Sequence, residues 1–396
     1  MTQPLRLLEG VRIASFTQFL LGPAGVQYLA DMGAEVVKVE NPRGNWERVW
    51  SGGDAFPGGV SAFYLLSHRN TRNLTLNLKD PKAQEVAKRL VRDVDVVVEN
   101  FRPGVMERFG LGYEQVCELN PSVIYASASG FGQDSPYRDL PGQDLVIQAI
   151  SGLASISGRK GQPPVPTGSA IVDQHGAALL AMSVLAALFN RQRTGEGQRI
   201  DISMLQAALD LQLEPVTYWL NGGQVELPVE PLASTFHQAP YGVYQASDGY
   251  LVLSIQPIKL IREALDGAPE LEPYEDPAAA LSSKNEIHRA LAGIICRRTV
   301  ADWVEQLRAR GIWCSPVNDY EHVFEDPIVV STQPLLELDH PRAGHIRLLR
   351  FPVRFNSGEA AVRRLPPSLG EHTAEVLAEL GYGAEEIREM RAAGAV

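Results

Sequence analysis

Apolar positions along the first half of the chain fall into two alternating rhythms. Residues 11–16 (Val-Arg-Ile-Ala-Ser-Phe) and 35–40 (Glu-Val-Val-Lys-Val-Glu) are short, β-branched runs suited to buried strands, and between them a helix opens at Gly22-Pro23 and closes at Gly33. Strand, helix and strand in that order make a βαβ unit with parallel strands. The alternation continues with a helix over 81–92, a strand over 95–99, a helix over 113–119 and a strand over 123–127. The fold predicted is a doubly wound α/β sheet, which takes ligands at the carboxyl ends of its strands.

Further on, a helix rich in small residues is predicted over 174–191, then the turn Thr194-Gly-Glu-Gly197, a strand over 199–203 and a helix over 204–220. Asn221-Gly-Gly223 and the Pro-containing stretch 227–231 break the periodicity and mark a linker. Beyond it, 241–246 and 250–255 read as a hairpin turning at Ser247-Asp-Gly249, followed by helices near 285–297 and 301–310. Thr299 with Asp302 forms a capping-box pattern, and Gly311 suits the helix stop. From Pro334 the chain is Pro-rich and ends in helices over 371–380 and 384–393. The expected division is a large α/β domain over 1–222, a linker and small α+β domain over 223–333, and a return segment over 334–396 that completes the large domain.

With 396 residues the chain exceeds one ordinary domain, and a net charge of −11 argues against nucleic acid or an anionic membrane as partner. Cys117, Cys296 and Cys314 show no CxxC spacing, and the histidines show no metal-ligand spacing. The opening Met-Thr-Gln-Pro-Leu-Arg has no secretory apolar region, and the longest apolar run, 176–189, is short for a bilayer span. A cytoplasmic protein without a metal centre is expected. The first strand leads into Leu20-Leu-Gly-Pro23 rather than GxGxxG, no GxxxxGK[ST] occurs, and Ser127-Ala-Ser-Gly130 lacks the first glycine of a nucleophile elbow. Nicotinamide, nucleotide-triphosphate and serine-hydrolase chemistry are thereby disfavoured.

Asp173 stands at the mouth of the small-residue helix and has two readings. It is a helix N-cap, since Asp accepts hydrogen bonds from the first free backbone N–H groups. The residues alone favour that cap; the alternative is a nucleophile, because an ordinary Asp, with a pKa of about 3.9, is an anion without any adjacent base. Gly176, Ala177 and Ala178 leave the first turn open to a close approach. Lys38, Arg43, Arg72, Lys79, Arg102 and Arg108 gather at predicted strand ends, as a phosphate-bearing ligand across the sheet edge requires.

Over nearly its full length the chain resembles the family III CoA-transferases. The resemblance rests on Leu8-Glu-Gly-Val-Arg-Ile13 leading to Gly22-Pro23, Gly33-Ala-Glu-Val-Val-Lys-Val-Glu40, Val98-Glu-Asn-Phe-Arg-Pro-Gly104, Gly130-Phe-Gly132 with Ser135-Pro-Tyr137, the Asp173 segment with Arg193-Thr-Gly-Glu-Gly-Gln198, and Leu369-Gly-Glu-His-Thr373. It implies a Rossmann-like large domain and an interlocked homodimer. It further implies CoA transfer from an acyl-CoA donor to a carboxylic acid through aspartyl anhydride and aspartyl-CoA thioester intermediates, with CoA thioesters as substrates and no tightly bound cofactor. Asp173 falls on the nucleophile and Asp144 on a second acidic position that orients it. Gln18, Leu21, Arg43, Lys79, Asn100, Phe101, Arg102, Arg108 and Gln143 fall on or beside CoA-contacting positions. Leu20, where formyl-CoA transferase has a glutamine, favours a larger or more apolar acyl group. Two alternatives carry different chemistry: an α-methylacyl-CoA racemase, disfavoured because Gln143 stands where that relative needs a titratable histidine, and a non-catalytic acyl-CoA-binding protein.

Overall fold

The computed structural model describes residues 3–396, so the first two residues of the opening segment weighed for a leader lie outside it. The chain divides into two compact units. One comprises Met1–Ile147, Ser169–Leu211 and Gln333–Val396; the other comprises Gln148–Gly168 and Gln212–Thr332. Residues 148–168 and 212–222, placed by the hydrophobic pattern in the first unit, thus belong to the second. The expected helix over 204–220 is two helices, Met204–Leu211 and Leu213–Leu220, parted at Gln212. The chain changes unit there rather than at the later glycines.

The first unit is built on six strands: β1 (Arg12–Phe16), β2 (Glu35–Glu40), β3 (Thr71–Thr75), β4 (Val96–Glu99), β5 (Ile124–Ser129) and β6 (Gln198–Ser203). Their order is β3-β2-β1-β4-β5-β6 and every pairing is parallel. The chain winds outward from β1 to β3, then returns to the other side of β1, so the winding reverses between β1 and β4. A crevice opens outside the carboxyl ends of two strands at such a reversal. There Phe16 lies beside Glu99. The Val96-Val-Val98 run of β4 is fully buried, as a strand covered on both faces must be. Strand β3, Thr-Arg-Asn-Leu-Thr, carries one aliphatic residue and is buried through polar partners instead. The return segment packs Val376 and Leu377 into the core with Leu74, Val86, Leu90 and Tyr125. Within it, β10 (Leu335–His340) and β11 (Gly344–Leu349) form a hairpin that the Pro-rich composition concealed. In the second unit, β7 (Gly242–Gln245), β8 (Tyr250–Leu253) and β9 (Cys314–Pro316) are antiparallel and share a core with helices Lys284–Ile295 and Val300–Ala309. Thr299 caps the latter through the Asp302 N–H.

Helices Leu21–Asp31 and Ile171–Thr194 cross in close contact in the first unit. A Cβ on Gly176 would stand 2.5 Å from Leu21 Cδ1, and one on Gly25 would stand 2.6 Å from Leu180 Cδ2. The space left by the small residues after Asp173 is therefore filled by the neighbouring helix, not kept for a ligand. By length and composition Ile171–Thr194 is able to cross a membrane, which corrects the expectation drawn from its shorter apolar run. Here Val172, Ala177, Leu180, Val184 and Leu188 are buried in the core.

Candidate active site

Asp173 is the third residue of the helix Ile171–Thr194, and Ala170, not Asp173, holds the cap position. The capping oxygen comes from Asp144, whose Oδ2 accepts the Val172 N–H at 2.8 Å and the Asp173 N–H at 3.0 Å. Asp144 begins the short helix Asp144–Ile150 and is buried. Its approach depends on two glycines that meet backbone to backbone. A Cβ on Gly142 would lie 2.3 Å from Gly130 Cα, and one on Gly130 would lie 2.6 Å from Gly142 Cα. Because Gly130 follows β5 directly, this pinch draws the Asp144 loop onto the carboxyl edge of the sheet.

The Asp173 carboxylate accepts no hydrogen bond among the described residues. Burial, and then the negative charge of Asp144, push its pKa up to about 7. The expectation of a fully ionised Asp thus fails in the free protein. A helix N-terminus favours an anion by about 0.3–1 kcal/mol, less than one pKa unit, and desolvation outweighs it. The first turn also has no N–H to spare for an oxyanion. Ile171 N–H bonds Ser169 O at 2.8 Å, Gln174 N–H bonds Ala170 O at 3.1 Å, and Asp144 takes the two between. His175 turns away, with Nε2 at 2.7 Å from Asp210 on the helix Met204–Leu211. Gln143 is exposed and is joined directly to Asp144 along the chain.

At the winding reversal, Asn100 bridges the end of β4 to the loop after β1. Its Nδ2 donates to Gln18 O at 2.8 Å and its Oδ1 accepts the Gln18 N–H at 2.8 Å. Gly22 lies so close that a Cβ would stand 3.0 Å from Asn100 Cγ. The Asn100 side chain, expected to face CoA, is committed to shaping this loop. Phe101 leans half-buried on the core, and its N–H is held at 2.9 Å by Glu99 Oε2. Leu20 and Leu21 are buried in helix packing, so neither offers the expected face to a thioester. Phe19, with φ of 61°, is the exposed residue of the loop. It begins a ladder of exposed rings, with Trp46 at 5.4 Å and Trp50 stacked a further 4.6 Å on. The tryptophans drew no attention in the sequence because they lie outside any motif.

The basic residues separate into two groups. Lys38 is buried against Glu47 at 2.8 Å and against His68, and Arg72 is buried against Glu375 and Glu379 at 2.9 and 2.6 Å. These two charges are structural and leave the expected ligand set. Arg43, Lys79, Arg102 and Arg108 are exposed, follow β2, β3 and β4, and have no ion-pair partner among the described residues. Arg138, which the sequence reading missed, stands beside Arg108: Arg108 Nη1 and Arg138 Nη2 lie 3.9 and 4.0 Å from where a side chain on Gly104 would begin. Among the described residues no group of three or more His, Cys, Asp or Glu is placed to hold a metal.

The first unit thus combines exposed cations along the carboxyl edge of a doubly wound sheet with a half-buried, hydrogen-bond-free carboxylate at the start of a core helix. Comparison with known proteins gives the class directly. The model of CoA-transferase family III matches residues 8–373. The human succinyl-CoA:glutarate CoA-transferase is 33% identical over 99% of this chain and 90% of its own length. The formyl-CoA:oxalate CoA-transferase of Streptomyces coelicolor is 32% identical over 99% of both chains. The crystal structure of a CAIB/BAIF family protein from Brucella suis superposes with a TM-score of 0.83 at 27% identity, covering 96% of this chain and 100% of that one. The chain belongs to family III of the CoA-transferases, and it is an enzyme of that activity, acting on CoA thioesters. The racemase and non-catalytic readings fall away.

Proposed function

We propose that the enzyme moves CoA from an acyl-CoA donor to a carboxylic acid through covalent intermediates on Asp173. An Asp173 oxygen attacks the thioester carbonyl, the carbon–sulfur bond breaks, and CoA leaves as the thiolate from an aspartyl anhydride. The thiolate attacks the Asp173 carbonyl carbon, the donor acid departs as its carboxylate, and an aspartyl-CoA thioester remains. The acceptor carboxylate attacks that thioester to form a second anhydride and release thiolate. The thiolate then takes the new acyl group and restores Asp173. No net proton is consumed, and splitting the exchange lowers each barrier.

The observation that carries this reading is the carboxylate itself, desolvated, free of hydrogen bonds and fixed through its own backbone by Asp144. Its raised pKa makes it a better nucleophile once ionised, and its half-buried position limits the approach of water to the anhydride. The exposed Phe19, Trp46 and Trp50 support an apolar acyl group. A homodimer with interlocked chains is part of the proposal. The deciding experiment is label exchange from a radiolabelled acyl-CoA into a panel of carboxylic acids, with hydroxylamine trapping of the aspartyl thioester. Transfer should disappear in Asp173→Ala and the trapped modification should map to Asp173. Undiminished transfer by that variant overturns the mechanism.

A further inference from the structure

Three consecutive residues of the loop after β1 are held by side chains that follow two other strands, β2 and β4. Asn45 Nδ2 donates to Thr17 O at 3.4 Å, Asn100 engages both the N–H and the carbonyl of Gln18, and Glu47 Oε2 accepts the Phe19 N–H at 3.5 Å. Phe19 is kept at φ of 61°, a left-handed state that a residue with a side chain holds only when its surroundings enforce it. The loop then enters the helix Leu21–Asp31, whose Leu21 fills the space at Gly176, one turn beyond Asp173. It leads directly onto the helix turn that carries the candidate nucleophile.

Glu47 stands apart within this grip. Its neighbour Trp46 is exposed, yet its own carboxylate is wholly buried, with Oε1 on Lys38 Nζ at 2.8 Å and on Asn45 Nδ2 at 3.2 Å. Lys38 Nζ also donates to His68 Nε2. His68 Nδ1 lies 2.7 Å from Tyr64 O, and a carbonyl only accepts, so the ring hydrogen sits on Nδ1 and Nε2 is left to receive. Burial, and then the Lys38 charge, hold the His68 pKa well below its ordinary value, so that ring is neutral. Glu40, the other acid close to Lys38, is paired with Arg48 at 2.8 Å. Glu47 is thus the anion that answers Lys38. A buried ion pair often adds no stability over apolar residues of equal volume. What this one supplies is position, because the short turn Trp46–Arg48 takes hold of Phe19 twice. The Trp46 ring lies 5.4 Å from the Phe19 ring on the exposed side, and Glu47 holds the Phe19 N–H from the buried side.

We infer that Glu47 is a positioning residue for acyl selection: anchored on Lys38, it fixes the Phe19 backbone, and through it the Phe19 ring, without touching the substrate. The inference rests on the proposed reading of the exposed rings as the surface that receives the acyl group. Its test is the ratio of Kd values for acetyl-CoA and octanoyl-CoA, measured by titration calorimetry in the Asp173→Ala background, where no covalent step on that residue disturbs binding. The parent should prefer octanoyl-CoA, and Phe19→Ala should cut that preference about fivefold, the size of one aromatic contact. Glu47→Gln should cut it by a similar factor while the affinity for acetyl-CoA changes little. Because that variant leaves Lys38 without its counter-charge, Lys38→Met/Glu47→Leu, which removes both charges at similar volume, is measured beside it. Adding Phe19→Ala to either variant should bring no further loss, since both act through one ring. A preference that falls with Phe19→Ala but survives both Glu47 variants overturns the inference alone. So does an equal loss of affinity for the two thioesters, or losses that add. A parent without preference, or one unmoved by Phe19→Ala, overturns the reading of the rings together with it.

Discussion

One oxygen of Asp144 holds both the Val172 and the Asp173 N–H groups, so a carboxylate 29 residues away along the chain fixes the backbone of the candidate nucleophile. The same carboxylate places negative charge beside Asp173 and raises its pKa. Positioning and ionisation are therefore coupled through one side chain. Replacing Asp144 by Asn separates them, because the amide oxygen still accepts but carries no charge. The rising limb of the kcat/KM profile should move to lower pH in Asp144→Asn. Asp144→Ala should lose about 1–2 kcal/mol of stability with the cap, together with most activity; an unmoved limb in the Asn variant removes Asp144 from the electrostatics.

In the wild-type enzyme burial raises two carboxyls, Asp173 and Glu99, to about 7, and on the proposed mechanism Asp173 must be deprotonated to attack, so the limb should vanish with Asp173 and survive Glu99→Gln. Activity should rise through pH 6–8 with an apparent pKa of about 7 in kcat/KM for the acyl-CoA, which reports the free enzyme. A profile already flat at pH 5 contradicts the raised pKa of Asp173.

Stability should show the opposite trend. The folded Asp173 binds its proton more tightly than the unfolded chain, so its contribution is present below the unfolded pKa of about 3.9 and is lost as pH rises through about 7. Asp173→Asn removes that loss. Its melting temperature should exceed the wild type by roughly 2 °C at pH 8 and match it at pH 4, after discounting for partial solvent screening. Scanning calorimetry at both values checks the sign.

Asn100→Ala breaks both links to Gln18 and leaves two backbone groups without partners. The expected cost is about 2 kcal/mol of stability, with KM for the acyl-CoA rising more than kcat falls. Equal effects on KM and kcat would place Asn100 in the chemistry instead.

Much of this arrangement is legible in the sequence. The βαβ alternation, the carboxyl edge and its free cations Arg43, Lys79, Arg102 and Arg108 follow from short-range pattern and chain order. What stayed hidden depends on partners far apart in sequence. Arg72 looks like any strand-end cation until Glu375 and Glu379 arrive from the C-terminal helix. Gly176 looks like room for a ligand until Leu21 fills it. The ionisation of Asp173 is not readable from local pattern, because burial, which no such pattern records, outweighs the helix end.

The meeting of Gly130 and Gly142 has a consequence for how such a site can be changed. With 2.3 Å between a would-be Cβ and the opposing backbone, even alanine at Gly142 must push the Asp144 loop off the sheet. The aromatic rings at Phe19, Trp46 and Trp50 are attached to other loops, those after β1 and β2, and take no part in that contact. On the proposed function, rings on one pair of loops could be exchanged to alter the acyl group accepted, while Asp173 is kept in place by a joint that admits no side chain at all.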